Sequence, residues 1–592
     1  MLEATPTKNR LQLRYGDFST LTEALDYAAQ GDTGYNFYNG KGQLDFVLPY
    51  AQLRDDAVAI AKRLLGLKIE RGSRVALVAD TDPGFLQMFY ACQYAGMVPV
   101  PLPASLRLGG HATYVAQLKR LLMSCRASVA IAPEAYLSFL REAAEELPLS
   151  YIGSADSLRS LPASREELVP SGADELAYLQ YTSGSTRFPR GVMITNQTVM
   201  NNLGNIVRNG VKIRPGDRAI SWLPYYHDMG LVGLVLSPMA AQVSVDYLRT
   251  RDFAMRPRLW LSLITKNKAT ISFSPPFGFE LCMQRLREKD LSNYDLRSWR
   301  VAGVGAETIR AQPLLAFSEM LAPSGFNPGA FLACYGMAEC SLAVSFSPLG
   351  QGIQVDEVEA ETLAVTQRAF PALKPTDRAA NAKEFVKRGF ALPGHSVEVR
   401  DEKGNTMPDR HVGTLYVKGP SVMSGYFGEP ELTKEVLSAD GWLNTGDLAY
   451  IADASVIITG RKKDLIIING RNIWPQDLEL RTGDASAFSV SGDDGDDRAV
   501  LVIECRISDP ARRSALSEEL QGAVGRELGI DCFIELVPRN TLPRTTSGKL
   551  SRSGAQRDFL QRVANGETEP PAINIAAYND PRRMISAAVG HR

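Results

Sequence analysis

The 592-residue sequence has almost no excess of either charge: 65 Lys and Arg stand against 66 Asp and Glu. Without a basic block there is no electrostatic footprint for a phosphate backbone, so nucleic acid is not an expected partner. The seven cysteines are scattered, with no CxxC pair or repeated spacing, which excludes a disulfide framework and a zinc site and points to reduced structural thiols. Long apolar runs are also missing. The most apolar stretch, Leu231 to Ala241, is interrupted by Ser237 and Pro238 and is too short to span a bilayer, so no integral membrane segment is expected. The start, MLEATPTKNRLQLRYGDFST, lacks the basic residues, apolar core and cleavage site of a secretory signal, and the expected location is cytoplasmic. Two catalytic signatures are absent as well. No Gly-x-x-x-x-Gly-Lys-Ser/Thr loop occurs, since Pro543 holds the upstream position required by Gly548-Lys549, and no Gly-x-Ser-x-Gly elbow occurs. P-loop nucleotide hydrolases and serine hydrolases of the elbow type are thereby disfavoured.

What is present is a long chain, 45% hydrophobic, that can bury more than one core. An amphipathic pattern from Tyr50 predicts a helix. It is followed by strands or helices at Arg74 to Ala79, Pro83 to Gly96, Val98 to Leu102, Ser128 to Ala132, Ala219 to Trp222, Thr270 to Phe273 and Arg300 to Val304. Short apolar strands alternating with helices predict α/β layers with largely parallel, doubly buried strands. Near Gly394 the pattern changes. HSVEVRDEKGN and VGTLYVKGP read as two strands joined by a Lys-Gly-Asn turn, which predicts a β-rich subdomain over about 390–460. Beyond it, Leu465 to Ile468, a helix at Ala515 to Glu527 and a strand at Cys532 to Val537 predict a smaller α+β unit over 461–592. The polar tail after about Gly566 is expected to be poorly ordered.

The sharpest chemical signal is the run Tyr181-Thr-Ser-Gly-Ser-Thr-Arg-Phe-Pro-Arg-Gly191 after the apolar LAYLQ. Glycine lets backbone N–H groups converge on an anion, and hydroxyls and arginines add donors, so the loop suits polyphosphate. An ordinary Ser/Gly stretch would be a solvated turn; two arginines and several hydroxyls in one loop favour phosphate.

From this loop onward the chain resembles the adenylate-forming superfamily of acyl-CoA synthetases, luciferases and peptide-synthetase adenylation domains. The resemblance rests on seven motifs in the family's order: Tyr181 to Gly191, Leu223-Pro-Tyr-Tyr-His-Asp-Met-Gly230, Gly303-Val-Gly-Ala-Glu307, Tyr335-Gly-Met-Ala-Glu339, Gly441-Trp-Leu-Asn-Thr-Gly-Asp447, Gly460-Arg-Lys-Lys-Asp464 and Pro543-Arg-Thr-Thr-Ser-Gly-Lys549. It implies attack of a carboxylate on the α-phosphorus of ATP, in which positioning of two anions and charge stabilisation are the main tasks.

The resemblance implies that Thr182, Ser183, Gly184, Ser185, Thr186 and Arg190 surround the phosphates. Glu339, with Thr186, would hold Mg²⁺, a hard cation suited to oxygen ligands. Gly305, Ala306, Glu307, Tyr335, Gly336, Met337 and Ala338 would flank the nucleotide, with Tyr335 over adenine. Asp447 would accept from the ribose hydroxyls, with Arg461 nearby. Lys549 would reach between carboxylate and α-phosphate, and His227 would stand where the acyl carboxylate enters. Lys463 occupies the hinge position, about which a mobile C-terminal domain would swing Lys549 away after adenylation. Taken singly, Asp447 reads as a turn residue, Glu339 as a local cap, Lys549 as a surface lysine and His227 as a structural histidine; the ordered set reverses those readings. The chain departs from the family's Thr-Gly-x-Pro-Lys-Gly at Arg187 and Arg190, and has Ala338 where Thr is common. Arg190 keeps the charge and adds a bidentate fork, whereas Arg187 is expected to stiffen or block the loop.

Within the superfamily, Gly34-Tyr-Asn-Phe-Tyr38, Trp222 to Gly233, Ser274-Pro-Pro-Phe277 and Asp464 to Glu479 resemble fatty acyl-AMP ligases. So does the long connection over about 350–388, without a clear fold of its own, where that group carries an insertion thought to restrain the C-terminal unit. The group's activity is to make an acyl-adenylate from a medium or long fatty acid, ATP and Mg²⁺ and to pass the acyl group to the phosphopantetheine of an acyl carrier protein. Met229, Gly230, Phe277, Phe279 and Met337 are candidate acyl-pocket residues. An acyl-CoA synthetase using free CoA, and a catalytically silent nucleotide- or carrier-binding module, are the alternatives.

Overall fold

The computed structural model describes residues 2–104, 110–182, 189–372, 382–468, 471–479, 484–491, 497–528, 530–544 and 550–568. The alternating pattern produces two α/β layers. The larger is a nine-stranded sheet whose spatial order runs Phe390–Ala391, Ala343–Phe346, Phe331–Gly336, Val301–Val304, Ile271–Ser274, Arg218–Ser221, Ser244–Leu248, Gly34–Tyr38, Leu44–Pro49. Its six middle strands are parallel, and antiparallel partners close both sides. The second layer is a parallel sheet in the order Val98–Leu102, Arg74–Val78, Ala127–Ile131, Tyr151–Gly153. The helix Tyr50–Gly66 buries one stripe, Tyr50, Leu53, Ala57, Ile60, Ala61 and Leu64, as its 3.6-residue pattern requires. The helix Pro83–Tyr94 lies deeper, with every residue from Phe85 onward buried. Its start is fixed by Asp82, whose carboxylate accepts from Gly84 and Phe85 N–H, and by Pro83 in the first turn; such a cap is worth about 1 kcal/mol.

The β-rich unit is a four-stranded antiparallel sheet, Ser396–Arg400, Gly413–Lys418, Leu443–Ala452 and Ser455–Arg461. The Lys-Gly-Asn turn exists, with Gly404 at φ +86° and Asp401 accepting from Lys403 and Asn405 N–H, but it does not join the first two strands directly. It closes a small excursion, marked by an Arg400–Thr406 bridge, before the chain continues to Gly413.

The long connection is not the structureless segment expected from composition. Val355–Glu359 pairs antiparallel with Ala382–Val386, and a helix, Ala360–Thr366, follows the first strand. Val358, Leu363, Ala369 and Phe385 share a core with Leu448, Tyr450, Ile457 and Trp474. Asp356 accepts from Tyr450 Oη at 2.7 Å and pairs with Arg410 at 3.1 Å, which locks the hairpin to the β-rich sheet. The strand at Ala382 also reaches beyond Arg461: Lys383 pairs with Asp477 at 2.6 Å and lies 3.9 Å from the Trp474 ring.

After the short turn Lys462–Asp464 the C-terminal domain begins with the hairpin Ile466–Ile468 and Arg471–Ile473. A three-stranded sheet, Ala485–Ser491, Asp497–Glu504 and Cys532–Val537, is packed by the helices Pro510–Leu528 and Arg552–Ala564. Apolar clusters made only of residues beyond Asp464 give this domain cores of its own. All seven cysteines are free thiols. Among the described residues no helix is long and apolar enough to cross a membrane.

Candidate active site

Strand ends place the motifs together. The parallel strands Val301–Val304 and Phe331–Gly336 lie side by side, so that Gly305 to Glu307 and Met337 to Glu339 emerge from the same carboxyl edge of the sheet. That edge is where open α/β sheets place ligands. Gly336 permits the exit: a Cβ there would stand 1.8 Å from the Leu342 carbonyl oxygen. The chain then makes a tight turn over Ala338–Cys340, ending at Ser341 with φ +64°, a left-handed conformation that a non-glycine residue adopts only when its surroundings impose it. Gly336→Ala is therefore expected to lower the midpoint of urea unfolding by the equivalent of roughly 1–3 kcal/mol, the usual cost of overpacking. An unchanged midpoint would show that the turn tolerates the added methyl.

Glu339 is 9% exposed, and its carboxylate accepts from Tyr426 Oη at 2.8 Å. Burial pushes its carboxyl above the ordinary value, against the pull of the Tyr426 hydroxyl. Tyr426 is delivered by a segment that pairs with the strand Gly191–Thr195: Met193 N–H donates to Gly425 O and Phe427 N–H to Gly191 O. The Arg190 guanidinium lies 5.3 Å from the centroid of the Tyr426 ring, and the charge of Arg461 pulls the Glu339 carboxyl down against the effect of burial. Arg190 and Thr182 close the base of the loop between them through two hydrogen bonds, one from Thr182 N–H to Arg190 O and one from Arg190 N–H to Thr182 Oγ1. The loop joins two antiparallel strands, Leu176–Tyr181 and Gly191–Thr195. Ser183, Gly184, Ser185, Thr186 and Arg187 lie outside the described residues, as does Lys549.

Asp447 is the second buried acid. Its Oδ2 accepts from Tyr335 Oη at 2.7 Å, and its Oδ1 stands 3.1 Å from Arg461 Nε on the neighbouring strand. The register that sets Asp447 opposite Arg461 puts the pair at the end of the β-rich sheet. The Asp447 carboxylate holds the half-exposed Arg461 guanidinium above its ordinary value. Burial, and then the Asp447 charge, pushes the Tyr335 hydroxyl well up, so it stays a donor.

His227 is half-buried at the start of the short helix Asp228–Leu231, with Nδ1 2.7 Å from Asp228 Oδ1. Met229 is buried beside them, and its N–H donates to Asp228 Oδ1 at 2.7 Å. Gly230 is fixed by packing, since a Cβ would meet the Pro224 carbonyl oxygen at 2.1 Å. Phe277 is half-buried, edge-on to Trp222, and its N–H donates to Glu307 at 3.2 Å. Phe279 is different. It is fully buried among Trp260, Phe317 and Phe331, with ring centroids 5.1–5.3 Å away, within an aromatic cluster of the core. Ala306 is exposed with φ +69°, and Met337 is half-buried. Lys463 sits in the exposed turn Lys462–Asp464 between the last strand of the β-rich sheet and the C-terminal hairpin.

Two residues of the site carry no local signal in the sequence. Tyr426 lies 87 residues from its partner Glu339. Arg388 is 4% exposed and donates to the Cys334 carbonyl at 3.2 Å and the Glu307 carbonyl at 3.3 Å.

Two buried acids, each answered by a tyrosine hydroxyl, Asp447 by Tyr335 and Glu339 by Tyr426, are thus the polar features of this region, and Arg461 stands beside Asp447. The chain belongs to the AMP-binding enzyme family, which matches residues 37–427. It is similar to a Caulobacter vibrioides protein provisionally named an acyl-CoA synthetase, at 45% identity over 94% of this chain and 98% of that one. It is also similar to the medium-chain-fatty-acid–[acyl-carrier-protein] ligase JamA of Moorena producens, at 30% identity over 92% and 96% of the two chains. A solved structure from work on fatty acyl-adenylate ligases of E. coli and L. pneumophila superposes with a TM-score of 0.88 at 45% identity, covering 94% of this chain and all of that one. The protein is an acyl-adenylate-forming ligase, with the large N-terminal and smaller C-terminal domain of that fold.

Proposed function

We propose that the protein activates a medium- or long-chain fatty acid with ATP to an acyl-adenylate, releasing pyrophosphate, and passes the acyl group to the phosphopantetheine thiol of an acyl carrier protein. The observation that carries this is the pair of buried acids with separate partners: Asp447 with Tyr335 and Arg461, and Glu339 with Tyr426. Asp447 takes the ribose hydroxyls and Tyr335 covers adenine, between Gly305 to Glu307 on one side and Gly336 to Ala338 on the other. Thr182 to Thr186 and Arg190 receive the phosphates. His227 and Met229 border the acyl carboxylate, with Phe277, Gly230 and Met337 near the chain. Lys549, in the C-terminal domain, neutralises charge between the two reacting anions, and Lys463 is the pivot that withdraws it.

A magnesium ion fits this donor set. Among the described residues no group of three or more His, Cys, Asp or Glu could hold a metal by itself. A single carboxylate, Glu339, with Thr186 and the nucleotide's own phosphates is the arrangement Mg²⁺ favours. Bound there, the ion would screen the triphosphate charge against the incoming carboxylate.

The experiment is pyrophosphate release with Mg-ATP and saturated fatty acids of graded length, followed by addition of either CoA or a phosphopantetheinylated carrier. Release with a medium or long acid, and thioester on the carrier but little on CoA, is expected. Release at no chain length would leave a silent binding module. Fast acyl-CoA formation would favour the second reading, a synthetase using free CoA, which the name of the Caulobacter relative supports. ATP dependence fits a cytoplasmic setting.

A further inference from the structure

Arg388 is not among the family motifs, yet it is tied into the nucleotide side of the site. Its backbone is clamped from both directions: its N–H donates to the Val456 carbonyl at 2.8 Å, and its own carbonyl accepts from Ser345 Oγ at 3.0 Å. Gly389, at φ +75°, follows where a Cβ would overlap the Phe346 carbonyl. These constraints send the side chain inward beneath the strand Phe331–Gly336. There its two terminal nitrogens reach the carbonyl oxygens of Cys334, the residue before Tyr335, and of Glu307, in the loop that leaves Val304.

The electrostatics set this contact apart from an ordinary structural tie. A buried guanidinium is normally paired with a carboxylate, because desolvating an uncompensated charge costs several kcal/mol. Among the described residues Arg388 has no such salt bridge, and its Nε has no partner. Asp447 and Glu307 act on it only through space, and burial lowers its value to about 10, so it is still charged at neutral pH. A neutral amide could bridge carbonyls without that cost. What the guanidinium adds is a planar fork that holds two carbonyls at a set separation.

We propose that Arg388 is a positioning residue for the nucleotide, bridging the Tyr335 strand and the Gly305 to Glu307 loop so that the slot between them is preset to the width of an adenine ring. The inference rests on the placement of the nucleotide given above. A preset slot lowers the ordering cost of binding, so its loss appears in the affinity for ATP and not in the affinity for the fatty acid. The strand that ends at Val386 also carries Lys383, so the insertion is built into the nucleotide side of the site as well as into the C-terminal domain.

The test uses the full chain with Arg388→Met, Arg388→Lys and, as a reference, Asp447→Asn. Pyrophosphate release gives kcat and KM for each substrate, calorimetry gives ATP affinity, and thermal unfolding gives stability. For Arg388→Met the KM for ATP is expected to rise roughly ten- to thirtyfold, the scale of a lost hydrogen bond to a charged group, while the KM for fatty acid stays within about twofold. Arg388→Lys keeps the charge and one bond, so an intermediate KM for ATP is expected; should the Met variant fail to fold, this variant alone carries the test. A fall in kcat or stability with the KM for ATP unchanged in Arg388→Lys would reduce Arg388 to a structural tie. If Asp447→Asn raises the KM for ATP and neither Arg388 variant does, only this inference falls. If Asp447→Asn leaves it unchanged, the nucleotide placement itself is wrong and the inference falls with it.

Discussion

Glu339→Gln should lower adenylate formation by about a hundred- to a thousandfold, the usual cost of removing one preorganised charge-stabilising group, while leaving the unbound protein as stable as before or more so. The two halves of that expectation have one cause. Burial raises the Glu339 carboxyl above its ordinary value, which means the fold disfavours the ionised form. The unfolded chain keeps the ordinary value. Below that value both states hold the proton and there is no penalty; as pH rises through the folded value the penalty develops fully. Above the ordinary carboxyl range the wild-type protein therefore bears a destabilising cost that glutamine lacks, whereas the Tyr426 hydroxyl can still donate to an amide oxygen. Thermal unfolding of the two proteins at neutral pH and near pH 4 measures this directly: the variant's advantage should shrink on acidification. A variant that loses both activity and neutral-pH stability would mean that Glu339 is a structural acid. A cation beside Glu339 restores the ionised form, so Mg-ATP should stabilise the wild type far more than the variant.

The second large effect is expected at Asp447. Asp447→Asn keeps an acceptor for Tyr335 but removes the charge that holds Arg461 and would accept from a ribose diol. The loss of charge-assisted bonds predicts an increase in the KM for ATP of roughly thirty- to a hundredfold, about 2–3 kcal/mol, with a smaller change in kcat. Asp447→Ala should do more damage. It leaves the buried Tyr335 hydroxyl unanswered, which adds a stability cost of about 1–3 kcal/mol. Combining Tyr335→Phe with Asp447→Ala should then recover part of that stability, since no orphan hydroxyl remains, and the four proteins form a double-mutant cycle. Additive unfolding free energies would show that the 2.7 Å contact contributes nothing.

Much of the architecture follows from short-range pattern. The helix Tyr50–Gly66, the strands Arg74–Val78, Val98–Leu102, Ala127–Ile131, Arg218–Ser221, Ile271–Ser274 and Val301–Val304 and the strand Cys532–Val537 fall within a residue or two of their expected positions, because burial on one stripe or on both faces leaves a periodic trace. The helix Pro510–Leu528 extends well before Ala515, because its first turns are polar and carry no apolar stripe. The connection over 350–388 leaves no clear pattern in the sequence for a related reason. Its strands are five residues each, with only two positions buried in each, and their order comes from pairing with each other and from Tyr450, Arg410 and Trp474 far along the chain.

Phe279 shows the converse limit: nothing in its sequence neighbourhood records that Trp260, Phe317 and Phe331 enclose it. The sequence by itself determined the class of chemistry, because the motif residues must be the right types in the right order whatever their surroundings. It also determined the α/β framework, since periodicity is a local property. The tertiary structure alone decided which side chains answer one another: Tyr335 with Asp447 across 112 residues, Tyr426 with Glu339 across 87, and Arg388 with the carbonyls of Glu307 and Cys334. Such pairs arise from strand order and register in sheets assembled from distant segments, and neither propensity nor spacing along the chain records which strands become neighbours.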